Sequence, residues 1–161
     1  MKRILICLVV ALCACDTEEE PFIIAEKPSS QGDYIIFGWY YGFCAGEQCI
    51  EIFKLTGDGL YEDQNDNYPD SRKFYEGDFE KQGQKKFEGV KSLADNIPPA
   101  IFAISDTIIG RPDYSDGGGV YFEYKVGNIH RYWLIDQFTH NIPEELQPLV
   151  TKVNETVTFL Q

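Results

Sequence analysis

The chain has 161 residues and carries 26 acidic against 14 basic side chains, a formal net charge of −12. A surface this acidic repels phosphate backbones, so the composition argues against a nucleic-acid-binding protein and favours a basic protein partner. The 11 phenylalanines, 10 tyrosines and 2 tryptophans favour β structure, since aromatic residues are enriched in strands.

The first fourteen residues have the layout of a signal peptide. Lys2 and Arg3 precede an apolar run over residues 4–14 that ends in small residues. As a helix this run would rise only about 16 Å, roughly half of the hydrocarbon core of a bilayer, so we do not expect it to span a membrane. Its removal moves the formal charge to −14, because it holds two bases and no acid.

Residues 12–15 read Leu-Cys-Ala-Cys, which resembles the lipobox of bacterial lipoproteins. The resemblance implies lipidation of Cys15; the alternative acceptor, Cys13, follows Leu12, where the motif has a small residue. It also implies two or more acyl chains, palmitate among them, and two chains anchor a protein stably where one does not. We therefore expect a cell-envelope protein held to a membrane by lipid.

Residues 15–32 are predicted to form an acidic, proline- and serine-containing tether. Asp16, directly after the lipidated cysteine, resembles an inner-membrane retention signal, whereas the acidic cluster that ends at Glu20 resembles a surface-export signal. We expect the lipid anchor to lie in the outer membrane. Both the periplasmic face and the outer face of that membrane are compatible with the sequence. Residues 33–161 then form the folded part, a length that suits one globular domain.

A strand is predicted over residues 33–43, a turn over 45–48 and a second strand over 49–55, in which Glu51 and Lys54 face solvent. Cys44 and Cys49 flank the turn and are the only cysteines after Cys15. An exported protein meets an oxidising compartment, so we expect them to form a disulfide, worth about 2 kcal/mol for so small a loop.

The rest of the chain alternates between strand and helix patterns. After a short third strand, the predicted elements in order are a fourth strand over 73–80, a helix over 84–96, an extended segment over 100–109, a loop over 110–119, and a hairpin of 120–126 with 129–135. A final helix begins at Pro143, with Leu146, Leu149, Val150, Val153 and Val157 as its apolar stripe. This order predicts an α+β fold, an antiparallel sheet with two packed helices.

Asp63, Asn65 and Asn67 place oxygen ligands at alternate positions, as calcium loops do. Tyr68 and Phe74 stand where an EF-hand needs glycine and glutamate, so the loop is not an EF-hand. A less regular calcium site would use Glu62 or Asp70 as a further ligand. A plain surface turn is the alternative, since Asn and Asp dominate turns. We expect no bound metal and no cofactor.

No pattern in the chain is typical of a catalytic site. It contains neither G-x-S-x-G nor H-E-x-x-H, and the spacing of His130 and His140 fits no standard zinc pair. Asp113, Asp116 and the glycines at 117–119 are interpreted as a flexible turn, because no phosphate-binding motif follows them.

Trp39, Tyr40 and Tyr41 lie in the densest aromatic stretch. Alternation in a strand places Trp39 and Tyr41 on one face and Tyr40 on the other. One face must belong to the core, and the other is a candidate stacking surface for a sugar or a peptide.

Residues 44–53 read CAGEQCIEIF and residues 57–62 read GDGLYE. Together they resemble an uncharacterised family of bacterial envelope lipoproteins, whose members carry a cysteine-glycine-cysteine turn, a strand, a Gly-x-Gly turn and a Tyr-Glu. Ile50 stands where the family has proline. The resemblance implies the same layout of elements, with a helix, a hairpin and a last helix to follow, and it implies no activity.

From these patterns we expect an envelope lipoprotein with a binding or accessory role, of which an acidic inhibitor or immunity-type protein is one form. The alternative is an envelope hydrolase that acts on glycan or peptide through carboxylates such as Glu47 or Glu51, beside the aromatic strand.

Overall fold

The computed structural model describes residues 23–161. The predicted signal peptide, Cys15 and the acidic cluster lie outside the described residues. Within the described range, no helix is long and apolar enough to cross a bilayer.

The centre of the fold is a seven-stranded sheet in the order β4-β3-β2-β1-β6-β7-β5. All neighbouring strands are antiparallel except β5, which runs parallel to β7, so the sheet is mixed rather than purely antiparallel. The strands are β1 (Tyr34–Tyr40), β2 (Ile50–Leu55), β3 (Leu60–Asp63), β4 (Phe79–Lys81), β5 (Ile108–Ile109), β6 (Gly119–Val126) and β7 (Ile129–Asp136).

Between residues 23 and 161, three α-helices accompany the sheet, one more than the sequence predicts for this part of the chain. They are α1 (Gln84–Val90), α2 (Ala100–Ala103) and α3 (Gln147–Leu160). The helix α1 continues as the 3₁₀ turn Lys91–Asn96, so the predicted helix over 84–96 is present with a change of pitch. The prediction of an extended segment over 100–109 is wrong in its first half. Pro99 starts a helical turn there, because the fixed φ of proline suits a helix N-terminus.

One side of the sheet, the helix-covered face, packs against α3 and the 3₁₀ turn after α1. The sheet contributes large apolar side chains such as Phe53, Phe122 and Trp133, which are completely buried. The predicted stripe of the last helix is confirmed, since its five residues are also completely buried: Leu146, Leu149, Val150, Val153 and Val157.

The other side, the loop-covered face, lies under residues 64–78 of the β3–β4 connection. The backbone amide of Tyr75 donates to the Tyr121 hydroxyl at 3.0 Å and to a Glu123 carboxylate oxygen at 3.3 Å. The Tyr132 hydroxyl donates to the carbonyl of Ser71 at 2.9 Å. The predicted strand over 73–80 is therefore wrong before Phe79, because side chains of the sheet, and not a neighbouring strand, satisfy this stretch of backbone.

Glu51 is buried, contrary to the prediction that it faces solvent. It points to the helix-covered face of β2, together with Phe53, and it lines a depression with Lys86 of α1 and Leu160 of α3. Lys54 is half-buried on the opposite face, with its ammonium group over the rings of Tyr34 and Phe79.

The two ends of the sheet differ. One, the turn end, carries the tight turns at 56–59 and 127–128; the other, the loop end, carries the long connections at 41–49, 110–118 and 137–141. The first described residues enter near the turn end, where Lys27 pairs with Asp95 and Asp33 accepts from the Gly127 amide. Ile23 packs against the core, so contacts with the domain begin within the segment for which the sequence predicts a tether.

Candidate functional site

An open groove of about 690 Å³ lies at the loop end, on the loop-covered side. Its walls come from the β3–β4 connection and from the chain that follows β5, and β1 and β7 supply its floor. The residues that the argument uses are Tyr40, Tyr68, Arg72, Ile108, Arg111 and Tyr114.

Arg111 is held in place by its own backbone. It follows Gly110, which adopts φ +75° at the end of β5, and its amide donates to Asp136 at 2.9 Å. Its guanidinium carbon lies 3.5 Å from the centroid of the Tyr114 ring, a cation–π contact. Among residues 23–161 no carboxylate lies within ion-pair distance of this guanidinium.

The Asp113 carboxylate ties three loops together behind the groove. It accepts hydrogen bonds from the Gly42 amide at 2.9 Å, the Tyr68 hydroxyl at 2.8 Å and the Gly118 amide at 3.0 Å. Asp113 itself has φ +56°, which is left-handed and costly for a residue with a side chain. The stretch interpreted from sequence as a flexible turn is thus fixed by a single carboxylate.

The Asp136 carboxylate joins segments by hydrogen bonds on the other side of the loop end. It is 1% exposed and accepts from the amides of Arg111 and Phe138 and from the Asn141 side chain, at 2.8–2.9 Å. Three donors compensate the burial of this charge.

The outer wall of the groove carries the ion pair Asp70–Arg72. The guanidinium donates through Nε and Nη2 to the two carboxylate oxygens at 2.9 and 2.8 Å, a bidentate arrangement. These hydrogen bonds from Arg72 lower the pKa of Asp70 to about 2, so the carboxylate stays ionised at all physiological pH values.

The floor of the groove is Tyr40, which is 1% exposed and makes an edge-to-face contact with Tyr68, ring centroids 5.0 Å apart. Its hydroxyl is buried and has no hydrogen-bond partner among the described residues. Burial, and then the charges of Tyr68, Asp113 and Asp136, raise the pKa of Tyr40 well above its ordinary value, so it remains a neutral hydroxyl.

The structure separates the three aromatic residues proposed from sequence. Tyr40 belongs to the groove, whereas Trp39 lies on the helix-covered side and donates from its indole to the Gln48 carbonyl at 3.2 Å. The ring of Tyr41 lies beyond the strand, and its hydroxyl accepts from Gln137 at 3.1 Å.

The loop end also exposes aromatic side chains. Phe43 is 84% exposed, Tyr114 59% and Phe138 49%. Phe43 precedes the disulfide Cys44–Cys49, which is present as expected, with Cα atoms 5.7 Å apart. The disulfide closes the loop that carries Phe43 and limits the number of conformations that this loop adopts.

A second polar cluster is buried under the β3–β4 connection. Glu123 is 0% exposed and accepts from the hydroxyls of Tyr34 at 2.9 Å and Tyr121 at 2.5 Å, while His130 Nε2 lies 2.9 Å away. The imidazole of His130 stacks on Phe74 with centroids 3.7 Å apart. This arrangement anchors the loop that walls the groove. His140 is exposed and lies apart from the cluster, against Phe138.

Two of the three calcium candidates make hydrogen bonds to other residues of the protein. Asp63 is buried and accepts from the Tyr75 hydroxyl and the Asp78 amide, both at 2.6 Å. Asn67 donates to the Glu76 carbonyl at 3.4 Å, and Asn65 is exposed. In the part of the chain that the structure describes, no three Asp, Glu, His or Cys side chains are grouped closely enough to hold a metal. The expectation of no bound metal stays untested, and the structure gives Asp63 a role in fixing the β3–β4 connection.

Glu51, a candidate of the hydrolase alternative, lies in a shallow depression of about 310 Å³ that it shares with Glu62, Asp66 and Lys86. The side chain of Glu47 lies outside what the structure describes. Glu51 and the groove belong to opposite faces of the sheet, since Glu51 is paired with Trp39 and the groove includes Tyr40.

Sequence reasoning missed Arg72, Arg111, Tyr68 and Glu123. Nothing in their local sequence distinguishes them, because each lies in a loop or alternates regularly in a strand.

No protein-family model matches the chain, and comparison with curated proteins finds no match. The resemblance to an uncharacterised envelope family remains a prediction that rests on the hairpin motif.

Proposed function

We propose that this protein is a lipid-anchored envelope lipoprotein with a non-catalytic binding role, and that the loop end is its binding surface. The observation that supports this most directly is that each of the three long connections at the loop end exposes an aromatic side chain: Phe43, Tyr114 and Phe138. Exposed apolar patches mark interaction sites, and aromatic residues dominate binding energy at such surfaces.

The position of the N-terminal segment is consistent with this role. The described chain enters near the turn end, and seven residues lie between Cys15 and Ile23, so the Cα atoms of these two residues are at most about 28 Å apart. A lipid on Cys15 therefore keeps the turn end near the membrane and directs the loop end away from it. The groove and the exposed aromatic side chains of the loop end then face the compartment in which a partner is met.

The charge of the chain favours a particular class of partner. A net charge of −12 attracts a basic protein surface and accelerates its association. An inhibitor or immunity-type protein is one form of this function, since such proteins act by covering a partner and need no catalytic groups of their own.

The lipid anchor is tested by metabolic labelling with an alkyne-bearing fatty acid. Wild-type protein should take up the label and fractionate with membranes, and Cys15→Ser should lose both properties. Cys13→Ser is the matched control and should keep both. Equal labelling of the Cys15→Ser and wild-type proteins would refute the anchor.

The binding surface is tested with a photo-crosslinking amino acid placed at Tyr114, at the loop end, or at Phe159, on α3. Both side chains are more than half exposed, 59% and 58%. In intact cells we expect a discrete crosslinked product from position 114 and none from position 159. Identical products from the two positions would show that the loop end is not a special surface.

A hydrolase remains a second candidate because Glu51 is buried next to Glu62 in the acidic depression. Turnover of peptidoglycan or peptide substrates that Glu51→Gln abolishes, with the fold retained, would favour it over a binding role. The binding proposal predicts no turnover in either protein.

A further inference from the structure

The side chains that line the groove carry a net positive charge, unlike the chain as a whole. Acidic residues outnumber basic ones 26 to 14, yet two arginines, Arg72 and Arg111, line this one groove, and Asp70 is its only lining carboxylate within the described chain. Arg72 already compensates Asp70 through its bidentate pair. Arg111 is therefore the arginine of the groove that has no counterion among residues 23–161.

The other acids near Arg111 are already occupied by donors. Asp113 accepts three hydrogen bonds and Asp136 accepts three, one of them from the Arg111 backbone amide. Neither needs the guanidinium for compensation. The guanidinium instead lies on the Tyr114 ring, a contact that holds its plane and leaves its N–H donors free for a ligand.

Most of the remaining lining is apolar or aromatic. Ile108 is 51% exposed, Tyr68 is 49% exposed, and Leu134 and Tyr40 form a closed floor beneath them. A surface of this kind binds an apolar or ring-bearing body by burial of its area, and one charged group fixes its orientation.

We infer that the groove binds a carboxylate attached to an apolar or aromatic body, with Arg111 as its anion contact. A planar guanidinium binds a carboxylate through two parallel hydrogen bonds, which makes the contact selective for that group. The inference rests on the proposed function only in taking the loop end as the binding end.

The charge of the whole chain limits the ligand further. A net charge of −12 repels polyanions, so a ligand with one carboxylate is favoured over one with several. Two sources supply this chemistry: a free organic acid, and the C-terminus of a peptide that ends in an apolar residue.

The test uses the full chain in detergent micelles, which require no lipid on Cys15, and equilibrium dialysis against four probes, with protein-free micelles subtracted. Two probes are 3-phenylpropanoate and its neutral amide. The other two are the peptide acetyl-Gly-Gly-Phe with a free C-terminus and the same peptide as its amide. We expect each acid to bind at least about ten-fold more tightly than its amide, since hydrogen bonds between a guanidinium and a carboxylate are stronger than those to a neutral amide.

Arg111→Gln should abolish the preference for the acids while far-ultraviolet circular dichroism stays unchanged, and Arg111→Lys should restore part of it. Lys152→Gln on α3 is the charge-matched control and should retain the full preference, because it removes the same charge far from the groove. A preference for the peptide acid alone would identify a chain end as the source, and one for phenylpropanoate alone a free acid; both support the inference.

Equal binding of acids and amides, an Arg111→Gln effect no larger than that of Lys152→Gln, or no binding of any probe would overturn the inference. Position 114 would still give its crosslink in those cases if the loop end binds a partner by other chemistry. The failure of the carboxylate site and the failure of the proposed function are therefore distinguishable.

Discussion

The two faces of the sheet are buried in different ways. The helix-covered face packs hydrocarbon against hydrocarbon, with α3 lying on large side chains such as Phe122 and Trp133. The loop-covered face packs tyrosines around two buried carboxylates, Glu123 and Asp63, under a connection with no regular structure between β3 and β4. The helix-covered face is stabilised by the burial of apolar surface area. The stability of the loop-covered face depends on a hydrogen-bond partner for every buried polar group.

The largest effect should come from a charge placed in the helix-covered face. Val153→Asp puts an unpaired carboxylate at a completely buried position and should lower the free energy of unfolding by about 4 kcal/mol or more, enough to prevent folding of a marginal domain. Thr151→Asp, exposed on the same helix, should change it by less than about 0.5 kcal/mol. Urea denaturation measures both, and similar losses for the two variants would contradict the assigned faces.

On the loop-covered face, replacing a buried charged residue with an apolar one should also destabilise the protein. Glu123→Met replaces a buried charge with hydrocarbon, yet it leaves the hydroxyls of Tyr34 and Tyr121 without their acceptor. We expect a loss of about 3 kcal/mol, and a smaller loss for Glu123→Gln, which keeps one acceptor oxygen. Glu80→Met on the exposed edge strand is the control and should be close to neutral. A neutral Glu123→Met would mean that the polar cluster contributes no stability.

Alkaline pH should destabilise the fold in part through the buried tyrosines of the loop-covered face. Burial, and then the charge of Glu123, raise the pKa of Tyr121 well above the value near 10 that it has when unfolded. Above pH 10 the unfolded chain therefore binds fewer protons than the folded one. This tyrosine's contribution to stability is complete below pH 10 and falls by about 1.4 kcal/mol per pH unit above it.

Tyr121→Phe should make this alkaline decline shallower by one proton, although it lowers stability at neutral pH by removing the hydrogen bond to Glu123. Denaturant unfolding at several pH values between about 9 and 12 gives the slope. An unchanged slope would show that Tyr121 ionises as freely in the folded protein as in the unfolded chain.

The smallest effect compares one hydroxyl on each face. Tyr132→Phe removes the hydrogen bond to the Ser71 carbonyl and should lower the local opening free energy of the β3–β4 connection by about 1 kcal/mol, seen as faster hydrogen exchange at the Tyr75 amide. Tyr124→Phe, which loses its contacts with Glu26 on the helix-covered side, should leave that exchange rate unchanged. Equal acceleration by both variants would mean that the connection opens only through global unfolding.

Local patterns predicted much of the helix-covered face. The apolar stripe of α3 repeats with the helical period, and the β6–β7 hairpin is marked by alternating residues on either side of the Gly127–Asn128 turn. The pairing of Cys44 with Cys49 followed from their number and from the oxidising compartment. In each case the deciding residues lie within a few positions of one another.

The same patterns failed where burial comes from a distant segment. Glu51 is predicted to face solvent because of its charge, yet it shares a strand face with Phe53, and residues of α1 and α3 such as Lys86 and Leu160 lie beside it. The stretch before Phe79 resembles a strand in composition, but hydrogen bonds from Tyr75 to Tyr121 and Glu123 hold it across the sheet instead. A window of ten residues contains no information about such partners.

The strand and helix periods of most of the fold, the disulfide and the acidic surface can be read from the residues alone, as can the signal pattern that predicts Cys15 as an anchor. Three features become visible only in the folded chain: Tyr40 rather than Trp39 faces the groove, Glu123 is buried, and Arg111 has no counterion among the described residues. Periodicity is a property of neighbours along the chain, whereas the groove is assembled from β1, β7 and two long connections. Its composition is fixed by strand order and register, which bring together residues that are far apart in sequence.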